Sequence, residues 1–222
     1  MRVGFVCGLE RERRCLVRGW GHHYAAPPLA AVGMGPDAAE RAAREVIGQG
    51  ADAVLAFGFC GGLDPRLPPC ALIVPESVGD GTAATELASG PLRRELAGEG
   101  GRLLSVARPL ADLDAKIEAA AQGFAAVDME SWAVVRAAAA AGIDCWVVRA
   151  VADPATRPLP QVARVAVGED GRLRPLAIAA ALSGRPRDWP LVWRTAQDAR
   201  AAEASLRRAA ATLARLAGEG RL

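Results

Sequence analysis

The sequence predicts a single α/β domain: a mostly parallel, mixed central sheet flanked by helices, with a helical extension at its C-terminal end. Three observations predict it. Short apolar runs recur along residues 1–153, most of them closed by a glycine turn or a carboxylate. Stretches with helical spacing alternate with these runs, and the runs are continuous rather than alternating, as in strands buried on both faces. A chain of 222 residues is also long enough to bury a large core. Residues 1–222 are read as one domain, with the site motifs in 1–153 and a loop and helical extension in 154–222.

The elements follow in order. Arg2 to Cys7 is a short apolar run closed by Gly8, a buried strand and its turn. Glu10 to Val17 is a first helix. The run Leu29 to Val32 ends in Gly33-Met34-Gly35, and Pro36 then takes a first helical position with Asp37 and Glu40 in the first turn. Ala38 to Ile47 has amphipathic helical spacing. Ala53 to Phe57 is a third strand, followed by Gly58, Gly61 and Gly62, and Ala71 to Val74 a fourth. Between Gly79 and Gly101 only a short helix around Leu92 is legible. Leu103 to Val106, Ala125 to Asp128 and Cys145 to Val151 are further strands, with helices over Leu113 to Ala121 and Ser131 to Ala141. In the tail, 157–160 is a loop and 168–171 a turn. Helices are expected near 176–182 and from Leu191 onward, separated by Asp188-Trp189-Pro190.

Composition excludes several classes. Half the residues are apolar, under a quarter are charged, and the net charge is +2, so the chain is globular and has no basic excess for nucleic acid. Arginine far outnumbers lysine, and alanine is abundant. The five cysteines, Cys7, Cys15, Cys60, Cys70 and Cys145, form no CxxC pair, which argues against a disulfide framework or zinc site and for a reducing cytosol. The N-terminus has no long apolar stretch behind a basic start, so no signal peptide is expected, and no apolar run approaches the ~20 residues of a membrane span.

In open α/β sheets, sites form where strands end. Those ends carry Gly8 to Glu12, Gly33-Met34-Gly35, Gly58 to Gly62, Asp128-Met129-Glu130 and Ala152-Asp153. Glycines admit a close-lying ligand, and Glu12, Glu130 and Asp153 can converge on one pocket. Taken singly, each signal has a plainer reading: a turn, or an Asp that caps a helix.

Together, these motifs resemble the nucleoside phosphorylase superfamily, and within it the nucleosidases acting on methylthioadenosine and S-adenosylhomocysteine. The resemblance runs through Met1-Arg2-Val3-Gly4 with Gly8-Leu9-Glu10-Arg11-Glu12, Val32-Gly33-Met34-Gly35-Pro36, Phe57-Gly58-Phe59-Cys60-Gly61-Gly62-Leu63, Val127-Asp128-Met129-Glu130-Ser131 and Val148-Arg149-Ala150-Val151-Ala152-Asp153. It implies cleavage of an N-ribosyl bond with release of a purine base. Asp153-Pro154-Ala155, Arg157-Pro158-Leu159-Pro160, Arg185-Pro186 and an Ala- and Arg-rich helix resemble a narrower subgroup, the hopanoid-biosynthesis-associated proteins. That subgroup implies adenosylhopane as substrate, adenine as product and a ribosyl-hopane left behind.

The resemblance also implies roles. Asp153 is the general acid at purine N7, and it must carry a proton near neutral pH, so its pKa should be raised. Glu130 grips the ribose hydroxyls, Met129 packs against the sugar, and Asp128 stands where better-known nucleosidases have the longer Glu, which moves one sugar contact. Glu12 orients a water and would repel phosphate, and no arginine precedes the central glycine motif. Arg11, Arg13 and Arg14 are read as a solvated helix face. Gly8, Gly35, Phe59, Cys60 and Gly61 are expected to line the substrate loops. Phe59 replaces a small hydroxyl residue, and no base-stacking loop is evident between Ser105 and Leu113.

No cofactor or metal is expected. His22-His23 reads as a surface loop and Cys60 as a buried thiol. Trp189, Leu191, Val192 and Trp193, beside Arg185, Arg187 and Arg194, read first as packing against the core or a partner subunit. The alternative is a mouth for a lipid-tailed substrate, or a transient membrane-surface contact. A cytoplasmic homo-oligomer, a dimer or larger, is implied. The rivals are a phosphate-dependent phosphorylase and a non-catalytic nucleoside-binding protein. A Rossmann dehydrogenase is disfavoured because Gly8-Leu9-Glu10-Arg11 supplies no GxGxxG.

Overall fold

The computed structural model describes residues 1–21, 28–158, 160 and 189–222. Along the chain run β1 (Val3–Cys7), α1 (Glu10–Trp20), β2 (Leu29–Val32), α2 (Pro36–Gly48), β3 (Ala53–Gly62), β4 (Leu72–Ile73), β5 (Ser77–Gly79) and β6 (Ala84–Glu86). Then come α3 (Gly90–Leu96), β7 (Arg102–Ser105), α4 (Leu113–Ala121), β8 (Phe124–Asp128), α5 (Ser131–Ala141), β9 (Asp144–Asp153) and α6 (Trp189–Gly218). This is the expected mixed α/β sheet flanked by helices, with a helical C-terminal element.

The sheet follows the order β2-β1-β3-β8-β7-β5-β6, with β9 on β3 and β4 on β9. Pairings β1–β2, β1–β3, β3–β9, β5–β7 and β7–β8 are parallel; β3–β8, β4–β9 and β5–β6 are antiparallel. β3 organises the whole. Its first half lies between β1 and β9, while Gly61 and Gly62 pair with Val127 and Ala126 of β8.

Side chains of β3 alternate between two cores. Val54 and Ala56 pack with α2 and α5, while Leu55 and Phe57 pack with α1 and α6. On the second face, Ala202, Leu206, Ala209, Ala210, Leu213 and Ala214 recur at helical spacing along α6 and are sealed against the sheet. Burying each leucine there contributes about 1.5–3 kcal/mol. Gly19 lets α1 and α6 touch, since a Cβ there would lie 2.2 Å from the Arg207 carbonyl oxygen.

Three differences from expectation have physical causes. α1 continues to Trp20, whose ring meets Phe5 edge-on at 5.4 Å. β3 does not stop at Phe57, because β9 pairs with it through Gly58, Phe59 and Cys60, and a ladder needs backbone rather than side chains. The segment after Gly79 holds a β5–β6 hairpin whose turn is closed by Asp80 accepting the Thr82 and Ala83 N–H groups, both at 2.9 Å.

Trp189 and Pro190 lie in the first turn of the described α6, ahead of the expected start at Leu191, where proline is tolerated. Trp189 and Trp193 are 58% and 63% exposed. The turn at 168–171, the helix near 176–182, Arg185, Arg187 and His22-His23 lie outside the described residues.

Candidate active site

A pocket of about 430 Å³ opens where β1, β8 and β9 end and β3 crosses beneath them. Gly8, Leu9 and Glu12 line it after β1, and Phe59, Cys60 and Gly61 line it from β3. Val127 to Glu130 come from β8 and the residues after it, and Ala152 and Asp153 from β9. Met34, Val106, Pro109 and Leu110 complete an apolar wall. Glu12, Glu130 and Asp153, from three distant stretches of the chain, therefore face one cavity.

Glu12 is the third residue of α1, and its carboxylate accepts the N–H of the N-cap Leu9 at 2.8 Å and the Phe59 N–H at 2.7 Å. One carboxylate thus closes a helix end and ties it to the central strand. Burial pushes its pKa up, opposed by Arg149 and by the Phe59, Leu9 and Gly8 N–H groups. Gly58 makes room: a Cβ there would stand 2.4 Å from Glu12 Oε1 and 2.5 Å from an Arg149 nitrogen.

Beneath the pocket lies an ion pair that sequence reasoning missed. Arg149, wholly buried in β9, meets Asp128 Oδ2 at 2.7 Å and donates to Ser131 Oγ at 2.9 Å. Asp128 also accepts the N–H and hydroxyl of Ser131, the first residue of α5, and so satisfies one free N–H at the helix start. The Asp128 carboxylate is therefore turned inward, to the guanidinium and the helix end. Among the described residues, the buried Arg149 Nη1 has no hydrogen-bond partner. Burial works against the charge on Arg149, but Asp128, Glu130 and Glu12 outweigh it, and its pKa is raised. The signal was available: a charge inside the apolar run 147–151 needs a buried partner.

Glu130 sits just above this pair. Gly35, at a positive φ of 78°, donates its N–H to Glu130 Oε1 at 2.9 Å, and a Cβ on Gly8 would lie 3.1 Å from its carboxyl carbon. Burial, then the charge of Asp128, pushes Glu130 up to about 7, with Arg149 pulling the other way. Met129 lines the same wall.

Asp153 owes its aim to a β-bulge. Cys60 pairs with Val151 but Gly61 pairs with Asp153, so Ala152 is an extra residue that reorients the end of β9. Burial raises the Asp153 carboxyl, tempered by Lys116 of α4, whose Nζ lies 2.6 Å from Oδ2. Lys116 was not singled out from the sequence.

Gly8, Phe59, Cys60 and Gly61 line the pocket, while Gly35 meets Glu130 through its N–H. The Cys60 thiol is pushed up by burial, and all five cysteines are free. Arg11, Arg13 and Arg14 are engaged with Glu203 and Glu10 rather than left open to an anion. Between Ser105 and Leu113 the wall is aliphatic. Among the described residues, no group of three or more His, Cys, Asp or Glu is placed to hold a metal ion, and no helix is long and apolar enough to cross a membrane.

The family profile described as Phosphorylase superfamily matches residues 23–182. The chain belongs to the phosphorylase superfamily. No curated protein sequence matches it. Among solved structures, this superfamily member is similar to the Campylobacter jejuni 5'-methylthioadenosine/S-adenosyl homocysteine nucleosidase (TM-score 0.69, 13% identity, 99% of each chain covered). The native futalosine hydrolase of Helicobacter pylori aligns with TM-score 0.67 at 16% identity, over 99% of this chain and 98% of that one. The Colwellia psychrerythraea methylthioadenosine/S-adenosylhomocysteine nucleosidase in complex with adenine aligns with TM-score 0.60 at 20% identity, over 69% and 83%. At these identities the likeness establishes the shared superfamily fold.

Proposed function

We propose that this protein is a nucleosidase that breaks the bond between a purine base and a ribosyl group with water as nucleophile. The observation that carries this reading is the meeting of Glu12, Glu130 and Asp153 around one pocket. The nucleosidases and the futalosine hydrolase of the same fold support it.

Each carboxylate has an environment suited to its task. Asp153, raised by burial, carries a proton to N7 of the base as the glycosidic electron pair leaves with it. Glu130 accepts hydrogen bonds from the ribose hydroxyls, which strengthen as the sugar becomes cationic. Glu12 accepts a proton from the water whose oxygen bonds to the anomeric carbon, and its raised pKa makes it the better base. Base and ribose leave neutral, Asp153 is left ionised and Glu12 protonated, and solvent exchange resets both. Met129 and Met34 supply soft apolar contact, and Val106, Pro109 and Leu110 an apolar flank for the base or the 5' substituent.

The finer proposal is adenosylhopane as substrate, with adenine released. The tail resemblance supports it, as do the apolar wall of the pocket and the exposed Trp189 and Trp193 on α6. With it go a cytoplasmic homo-oligomer, a transient membrane-surface contact and one nucleoside phosphorylase-like domain over 1–222.

The test is free-base detection after incubation with adenosine, methylthioadenosine or a long-chain adenosyl lipid, with and without phosphate. Adenine release independent of phosphate, fastest with the lipid, is expected. Release only with phosphate makes the protein a phosphorylase; binding without release sinks the enzymatic reading.

A further inference from the structure

Lysine occurs once in this chain. All other members of the Lys and Arg total of 27 are arginine, and the single lysine is Lys116. It sits on α4 with its side chain 1% exposed. Its Nζ reaches three oxygens: Asp153 Oδ2 at 2.6 Å, the Arg157 carbonyl at 2.8 Å and the Pro154 carbonyl at 3.1 Å. An ammonium has three donors around a point charge, so each finds an acceptor. A planar guanidinium is larger and projects its donors as a flat fork, which does not match three oxygens converging on one atom. In a chain otherwise built with arginine, this is where the compact cation stands.

Burying an ammonium is strongly unfavourable unless its partners are in place. Here they tie α4 to the acid and to the loop that follows it. The loop is held from its other side, where the Arg157 guanidinium meets Asp198 of α6. We propose that Lys116 is a positioning residue for Asp153, holding Oδ2 so that Oδ1 carries the transferable proton, and setting the pH range in which that proton is kept. The proposal rests on the nucleosidase reading for its catalytic meaning, but the Lys116–Asp153 coupling can be tested by itself. Among the described residues, the groups facing Asp153 are Lys116 from α4, Arg157 from the loop, Asp198 from α6 and Cys60 from β3. Of these, Lys116 alone touches the carboxylate in a direct hydrogen bond. Its positive charge also offsets the carboxylate left when Asp153 gives up its proton, which an apolar neighbour would not do.

A protein with one lysine offers a direct measurement. With ε-13C-lysine incorporated, the intact chain gives one lysine side-chain resonance. In the wild type that signal should shift through a titration step belonging to Asp153, and in Asp153→Asn the step should vanish. A step unchanged in Asp153→Asn, or no step in the wild type, overturns the coupling.

The catalytic arm compares pH profiles of kcat/KM. Lys116→Met removes a charge that lowers Asp153, so the alkaline limb should move up by about one pH unit or more. In the same variant kcat should fall about tenfold with KM little changed. Lys116→Arg should not restore the wild-type profile. An unmoved limb in folded Lys116→Met refutes the role in setting the acid. Should no protein release base from any nucleoside, the nucleosidase reading fails, and the resonance experiment still decides the coupling.

Discussion

Two buried cation–carboxylate pairs share strand β9, and they are built for different ends. Arg149 and Asp128 are closed on both sides, with side chains 0% and 1% exposed, and the pair also holds Ser131 and the start of α5. In the second pair the cation is equally sealed, but the Asp153 carboxylate is 19% exposed and faces the pocket. The first carboxylate spends its acceptors on the fold. The second keeps one side open to the pocket. A buried charge is thus structural or chemical according to which partner the protein leaves open.

Arg149→Met should separate the two most sharply. It leaves Asp128 buried without its counter-charge, and removing one member of such a pair costs about 3–5 kcal/mol. Urea unfolding should show that loss, and a midpoint within error of wild type would deny the pair its structural role. Asp153→Asn should do the reverse, cutting base release at least about a hundredfold while leaving the unfolding midpoint nearly in place. An unchanged rate would remove Asp153 from the mechanism.

Glu130 lies between these extremes and should show both behaviours. Its folded pKa of about 7 is above the ordinary 4.5, so the folded state binds the proton more tightly. The stability this adds is complete below the ordinary value and is lost as pH rises through 7. Between pH 5 and pH 8 the wild type should therefore lose on the order of 1–3 kcal/mol that Glu130→Gln does not lose. Activity should move oppositely in the wild type, rising through 7 as the hydroxyl-gripping carboxylate forms. In Glu130→Gln it should be weaker on ribosyl than on 2'-deoxyribosyl substrates. Parallel melting curves, or equal losses on both sugars, would count against this assignment.

The smallest of these effects concerns the glycine under both groups. A methyl at Gly58 would press on Glu12 Oε1 and an Arg149 nitrogen. Gly58→Ala should cost about 1–3 kcal/mol by overpacking, and it should slow base release through Glu12. A neutral substitution would mean that neither side chain is held there.

Much of the architecture was legible because it is written in local patterns. The bounds of β2, α4 and α5 coincide with the expected segments, and α2 starts at Pro36, since apolar runs, helical spacing and a proline at a first helical position are short-range signals. Where expectation failed, partners far along the chain decided the outcome. β9 carried β3 through its glycines, and Phe5 held the last turn of α1. In the site, the acidic motifs were visible by their spacing after strands. Their counter-charges were not: nothing local sets Lys116 apart within its helix, and Arg149 lies inside an apolar strand motif.

The order of strands and helices, the strand ends that carry carboxylates and the superfamily resemblance were set by the sequence alone, because periodicity and turn chemistry act over a few residues. Which carboxylate meets which cation was decided by the tertiary structure. Asp128 and Arg149 are brought together by β8 and β9, which flank the same central strand, and Asp153 is re-aimed by the extra residue Ala152 towards a lysine on another helix. Burial then turned those contacts into shifted proton affinities, since desolvation depends on what surrounds a group in space and not on its neighbours along the chain.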